Sequence, residues 1–431
     1  MALRALPLAV AVVLLGTLGC ERVDHENIDR WSHTGKGPAK LQRAVADGAI
    51  DPDLSAHAAA NLLRRGDDRE VYAAFEAMGP ARRAQVIARL APRMWDVARV
   101  ENENELPRGP EVAAKDALIR IRAWADGPTR QQIDGYLIDW YCVASYEDRA
   151  RTGGAPGALA MRLVGPPAGR KLIPVVNGVI AAPGQTRVKN RIGNELLLGL
   201  AVTGYPDAVT YVLDIARMDR GDPTLATRAL SALFKAYVEP DGFEIADREA
   251  LVPSLPALVD IARDGRVAAH VANDAVALIR AVGAPRCLPP LVGMIGAPHR
   301  DPQFKLVAAN NALACGGTGA IAAVARALPD AGVYPRDQVE RRISAEIARM
   351  TPRDQAQAAA RALLAEPSTV AKWVGMEALA AMKATDDASR IAALAGSRER
   401  LVGYWGEQVE GREDPTLGQR ARELASQLGA K

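Results

Sequence analysis

Aromatic side chains are scarce in this 431-residue chain: they make up 4% of it, and only 4 are phenylalanine. Large all-β cores lean on aromatic and β-branched residues, so the scarcity argues against a sandwich or a barrel. Charge of one sign is lacking too. With 54 basic and 51 acidic residues the net charge is +3, and no block of five or six like charges occurs. A nucleic-acid binder carries a basic face or stripe, so no nucleic acid is expected as a partner. Histidine is limited to His25, His33, His57, His270 and His299. None forms His-Glu-x-x-His or has a second His or Cys at helical metal-site spacing. There is no Gly-x-Ser-x-Gly elbow and no complete Walker loop. Gly35-Lys36-Gly37-Pro38 and Gly165-Pro166-Pro167-Ala168-Gly169-Arg170-Lys171 read instead as helix-entry turns. No catalytic residues, cofactor or metal ligands are therefore assigned, and the chain is not expected to be an enzyme.

What is present is apolar content drawn from Ala, Leu and Val within a hydrophobic fraction of 49%, with 24% charged residues. Ala and Leu are strong helix formers and suit closely packed helices. The length accommodates two or three ordinary domains or one elongated repeat array.

The N-terminus reads as an address. Arg4 supplies a positive start, and Ala5–Leu15 an apolar stretch of signal-peptide length, too short to span a bilayer comfortably. Small residues lead to Cys20 in the run Leu15-Gly16-Thr17-Leu18-Gly19-Cys20. This resembles a bacterial lipobox, with Thr17 where that pattern prefers leucine. The resemblance implies a signal peptide over 1–19, lipidation (diacylglyceryl and palmitate) at Cys20, and a tether over 20–35. Glu21 follows the cysteine instead of Asp, which in such lipoproteins points to the outer membrane, facing the periplasm.

Internal repeats organise the rest. Asp51-Pro52, Asp222-Pro223, Asp301-Pro302 and Asp414-Pro415 share a helix-start signature. Asp caps the free amides, and Pro fits the first helical position. Seven residues after each Asp stands Ala58, Ala229, Ala308 or Ala421, and a glycine stop (Gly66, Gly316 or Gly429) follows in three of the four. Asp264-Gly265-Arg266-Val267 leads into a stripe of Val271, Ala275, Leu278, Ile279 and Val282, and Glu366-Pro367 opens another run through Trp373, Leu379 and Met382. Turns at Gly204, Gly242, Gly283, Gly317, Met350 and Ala384 recur every 33 to 41 residues. The segment from Asp264 to Gly283, followed by Ala284-Pro285 and Leu288–Ile295, resembles HEAT repeats. The resemblance implies an all-α fold, an α-solenoid of stacked antiparallel helix pairs (a HEAT/armadillo-like superhelix) over 36–431. The glycines and prolines at 153–157 and 165–167 make it irregular around 98–185.

Several residues stand out against this frame. His25 and His33 lie near the tether, while His57 and His270 read as partly buried structural histidines inside repeat helices. Cys142, Cys287 and Cys315 read preferentially as buried small hydrophobes. Cys287 and Cys315 are the pair to join if an oxidising periplasm forms a disulfide. Tyr136, Trp140, Tyr141 and Tyr146 form the densest aromatic cluster, either core packing or a contact patch. Asn310-Asn311 either ladder between repeats or line a concave surface.

These readings predict a membrane-anchored scaffold of the bacterial cell envelope. It would hold the membrane through lipidated Cys20 and bind a partner protein through the solenoid surface. The alternative is an envelope-polymer or small-ligand binding protein. The HEAT resemblance also admits a modifying enzyme such as a lyase.

Overall fold

Asp51 shows how helices begin in this protein. Its carboxylate accepts from the Asp53 amide at 2.8 Å, and Pro52 opens α3 (Pro52–Arg65), which ends on Gly66 at φ +82°. The cap satisfies an amide that has no intrahelical acceptor, and the left-handed stop needs a residue without Cβ. The computed structural model describes residues 22–101, 105–182, 192–218, 223–297, 301–406 and 413–429. The signal segment, Cys20, Asp222 and His299 lie outside the described residues. Among those described there is no strand, only a single antiparallel bridge between Arg400 and Thr416. The chain is all-α, and it divides into two compact units between Val164 and Gly165.

The second unit repeats one step. Its first members are α10 (Pro166–Ala181), α11 (Asn194–Ala201), α12 (Pro206–Arg217), α13 (Pro223–Tyr237), α14 (Leu255–Arg263) and α15 (Ala269–Ala281). Next come α16 (Leu288–Ile295), α17 (Pro302–Gly316), α18 (Ile321–Ala327), α19 (Arg336–Val339) and α20 (Ala345–Arg349). Last are α21 (Arg353–Leu363), α22 (Thr369–Ala381), α23 (Ala388–Ala392) and α24 (Leu417–Gln427). One layer runs α11, α13, α15, α17, then the continuous α19–α20 run, α22 and α24, each packing on the next. The facing layer runs α10, α12, α14, α16, α18, α21, and each helix also packs on its sequence neighbour in the first layer. This is a solenoid-like stack: a helix pair hides its apolar flank against the preceding and following pairs. All six turns marked in the sequence follow a first-layer helix, five of them within three residues of its end and Gly242 five residues after Tyr237.

Small residues make the close approach possible. Ala58, Ala229, Ala308 and Ala421, the mid-helix alanines of the four signatures, are fully buried. So are Val271, Ala275, Leu278 and Ile279 on α15. Two starts differ from expectation. At the last signature the helix begins two residues late, because Thr416 and Gln419 form a capping box and Asp414 instead accepts from the Gly403 amide at 2.8 Å. At Glu366-Pro367 the cap is Ser368, which accepts from the Ala371 amide. The apolar run Pro302–Ala327 is long enough to cross a bilayer by length and composition. Here it is α17, a short turn and α18, packed within the two layers.

The first unit holds α1 (His25–Ser32), α2 (Gly37–Ala46), α3, α4 (Asp68–Ala77), α5 (Pro80–Ala98), α6 (Gly109–Ile121), α7 (Gly127–Tyr141), α8 (Tyr146–Arg149) and α9 (Gly157–Val164). A row of α1, α3, α5, α7 and α9 is flanked by α2 and α4, with α6 against α5. In both units polar side chains reach to the next repeat, at sequence separations from 32 residues (Asn310 Nδ2 to Arg342 O) to 44 (Thr210 with Ser254). Arg93 with Asp53 and Arg286 with Glu249 lie inside that range, which matches the repeat period.

The stretch expected to be irregular is held by a buried lysine. Lys115 on α6 is 1% exposed, and its Nζ lies 2.5 Å from Asp116 Oδ1 and 3.2 Å from Ala155 O. The same Asp116 oxygen accepts from the Ala155 amide at 2.9 Å. The ammonium sits 5.3 Å over the Trp140 ring and 5.7 Å over that of Tyr141, where the ring faces attract a cation. Burial lowers the lysine pKa, opposed by Asp116. Gly154, at φ +69°, passes so close to Asp116 that a Cβ would collide with the carboxylate. One ion pair thus fixes the glycine-bearing loop against α6 and α7.

Candidate interaction surface

In the first unit, aromatic and arginine side chains combine partial exposure with binding chemistry. Tyr72 on α4 and Trp124, in the turn closing α6, have ring centroids 6.2 Å apart, with Phe75 buried edge-on to the indole at 6.1 Å. Arg120 lies 5.1 Å over the Tyr72 ring and Arg83 5.7 Å over the Trp124 ring. Arg83 also donates to Phe75 O at 3.1 Å, which fixes its fork. Burial, aided by Asp68, pushes the Tyr72 hydroxyl up to about 12, so it stays protonated. Towards the other end of α5, Trp95 stacks flat on Tyr136 of α7 at 4.9 Å and 4°, and Gln132 donates to the Tyr136 hydroxyl at 2.7 Å. Tyr72, Trp95, Trp124 and Tyr136 are each partly exposed. Trp and Tyr present large contact area at small entropic cost, and together with Arg they are enriched in binding hot spots.

The aromatic cluster seen in the sequence therefore splits. Ile133, Leu137, Trp140, Tyr141 and Tyr146 are buried core, with the Trp140 indole donating to Ala98 O at 3.0 Å. Only Tyr136 turns outward, and its stacking partner Trp95 stands 41 positions earlier, a distance the local pattern does not reveal. Tyr72 and Trp124 were not singled out in the sequence. Their spacing to one another follows no helical period.

The histidines are arranged differently from expectation. His25 meets His57, Nδ1 to Nδ1 at 2.8 Å. His25 Nε2 lies 3.3 Å from Asp53, and His57 Nε2 lies 2.7 Å from Asp29. Arg93 donates to Asp53 at 3.0 Å, and Asn61 to Asp29 at 3.3 Å. Burial lowers the His57 pKa, opposed by Asp29 and reinforced by Arg93. His270, expected to be partly buried, is exposed and pairs with Thr227 one repeat earlier at 3.2 Å. No group of three or more His, Cys, Asp or Glu side chains among the described residues is placed to hold a metal ion.

The cysteine reading needs correction. Cys287 and Cys315 form a disulfide with Cα atoms 6.3 Å apart, within the range such a bridge spans. They are not independent buried thiols: α16 packs on α17, which brings the two residues together. Cys142 is half-buried at the end of α7, outside that bridge. Asn310 ladders to the next repeat, whereas Asn311 donates to Val307 O within its own helix at 2.9 Å. Both glycine-proline stretches are helix entries, to α2 and α10. No family model matches the chain, and a search of curated proteins finds no match.

Proposed function

We propose that this protein is an exported, lipid-anchored, HEAT-like scaffold that binds a partner protein of the bacterial cell envelope. Cys20 carries the lipid and holds the chain at the outer membrane, facing the periplasm. The partner docks on the aromatic–arginine surface of the first unit. The Tyr72–Trp124 pair, clamped by Arg83 and Arg120 and still partly exposed, is the observation that supports this reading most directly. The signal-like segment and the run ending at Cys20 support the anchor. A triacylated cysteine would bind firmly, since each buried methylene contributes about 0.8 kcal/mol.

Two measurements test the two halves separately. Cys20→Ser should move the protein from the membrane fraction to the soluble one, and a variant that stays membrane-bound would remove the anchor. Crosslinking in intact cells should recover one specific envelope protein with the wild type. The Tyr72→Ala/Trp124→Ala double variant should recover at least about tenfold less, the scale of a hot-spot loss. Equal recovery by the two proteins, or none by either, would overturn the docking surface.

A further inference from the structure

His25 and His57 bring two ring nitrogens together, Nδ1 to Nδ1 at 2.8 Å. On the far side of each ring stands a carboxylate, Asp29 2.7 Å from His57 Nε2 and Asp53 3.3 Å from His25 Nε2. A carboxylate can only accept, so this placement favours the hydrogen on Nε2 and turns the two Nδ1 lone pairs towards each other. A carboxylate on the far nitrogen is the arrangement that orients metal-ligating histidines and strengthens them as donors.

We propose that His25 and His57 bind a divalent transition-metal ion between their Nδ1 atoms. Two neutral imidazoles suit Cu2+, Ni2+ or Zn2+ and not the oxygen-seeking Mg2+ or Ca2+. The spacing narrows the choice. Metal–nitrogen bonds of about 2.0 Å that span 2.8 Å meet at about 90°. That is the cis angle of tetragonal Cu2+ or Ni2+, whereas tetrahedral Zn2+ would need the nitrogens farther apart. Water fills the other positions, because the carboxylates are engaged with the far nitrogens. The His25 side chain is 54% exposed and that of His57 13%, so the ion has access from solvent and one ring is free to turn onto it. Asp29 and Asp53 offset the ion's charge, and Arg93, bonded to Asp53, holds that carboxylate in place. The ion would clasp α1, a packed helix inside the stretch 20–35 that the sequence reads as a tether, to α3.

The test is a titration of the full-length protein with CuCl2 at pH 7, followed by calorimetry and electron paramagnetic resonance. The expected result is one saturable equivalent and a spectrum showing two coupled nitrogens. His25→Ala should lose one of them and weaken binding at least about a hundredfold. Asp53→Asn and Asp29→Asn should each weaken it about tenfold or more, the usual effect of removing a supporting carboxylate. His33→Ala should leave both readouts unchanged, and Zn2+ should bind less tightly than Cu2+. His25 is on the surface, so its replacement is not expected to unfold the chain, and circular dichroism checks this. An absence of saturable binding, or an unchanged spectrum and affinity in His25→Ala, would overturn the proposal.

Discussion

The second unit from α12 to α18 and the first unit from α6 to α9 solve the same packing problem with opposite materials. In the former, Ala229, Ala232, Ala272, Ala275, Ala308, Ala309 and Ala312 let helices approach. Among the described residues from 206 to 339 no charged side chain is buried, and the buried hydroxyls are those of Ser254, Tyr237 and Tyr334. In the latter, Lys115 and Arg149 are buried among Trp140, Tyr141 and Tyr146. A regular step can be met by the same small apolar residue at every copy. A loop with several glycines has no such periodic partner, and there a paired charge fixes one geometry. The same contrast appears at the end of the second unit. Next to the bridge between Arg400 and Thr416, Arg420 is 3% exposed and joins Glu377, Glu340 and Glu423, while Trp373 donates to Glu377 at 2.9 Å.

The largest expected effect comes from breaking the lysine lock. Lys115→Ala leaves Asp116 without its cation and opens a cavity under Trp140. It should cost about 3–5 kcal/mol, the usual range when one partner of a buried pair is removed. Denaturant unfolding would measure the loss. Limited proteolysis should show new cleavage within 151–156, because Ala155 loses its contact with the lysine. A loss below about 1 kcal/mol with an uncut loop would mean that apolar packing alone shapes this region.

How much of this was legible beforehand follows the same division. The turns at Gly204, Gly242, Gly283 and Gly317 could be read because a left-handed residue after a helix calls for glycine, and all four have positive φ. The mid-helix alanines were readable because their spacing repeats. Lys115 was not, since a single lysine on a helix looks like solvated surface until the Gly153-Gly154 loop folds over it. The His25–His57 pair and the Trp95–Tyr136 stack join neighbouring repeats. Sequence supplies the period of that step but not the rotation that decides which side chains meet. For the same reason the disulfide was visible only as a spacing.

Joining Cys287 to Cys315 staples α16 to α17 in the part of the molecule that has almost no buried charge. The bridge closes a 28-residue separation, and loop-closure entropy for that length gives about 3–4 kcal/mol. Cys315→Ser should lower the denaturation midpoint accordingly, and a reductant should do the same to the wild type but nothing further to the variant. If reduction left the wild-type midpoint in place, small-residue packing would suffice for the regular stack, and the contrast with the first unit would be sharper still.

The smallest expected effect concerns acid. Asp387, 1% exposed at the start of α23, accepts from Arg361 at 2.6 Å and Gln357 at 2.8 Å on α21, with Arg390 nearby. Burial alone would raise its pKa, but the hydrogen bonds and charges of Arg361, Gln357 and Arg390 outweigh it, and the net shift is downward. A carboxyl depressed on folding contributes stability that is fully present above its unfolded pKa, about 3.9. That contribution is lost as pH falls through the lower folded value. Stability of the wild type should therefore hold from pH 7 to about pH 4 at this site and decline below it. Asp387→Asn should start lower at pH 7 and lose less over the acid range, so the two urea midpoints converge as pH falls through that lower value. Parallel curves would show that the carboxylate is a spectator and that α21 and α23 are joined by their apolar faces, as the uncharged middle of the same unit is.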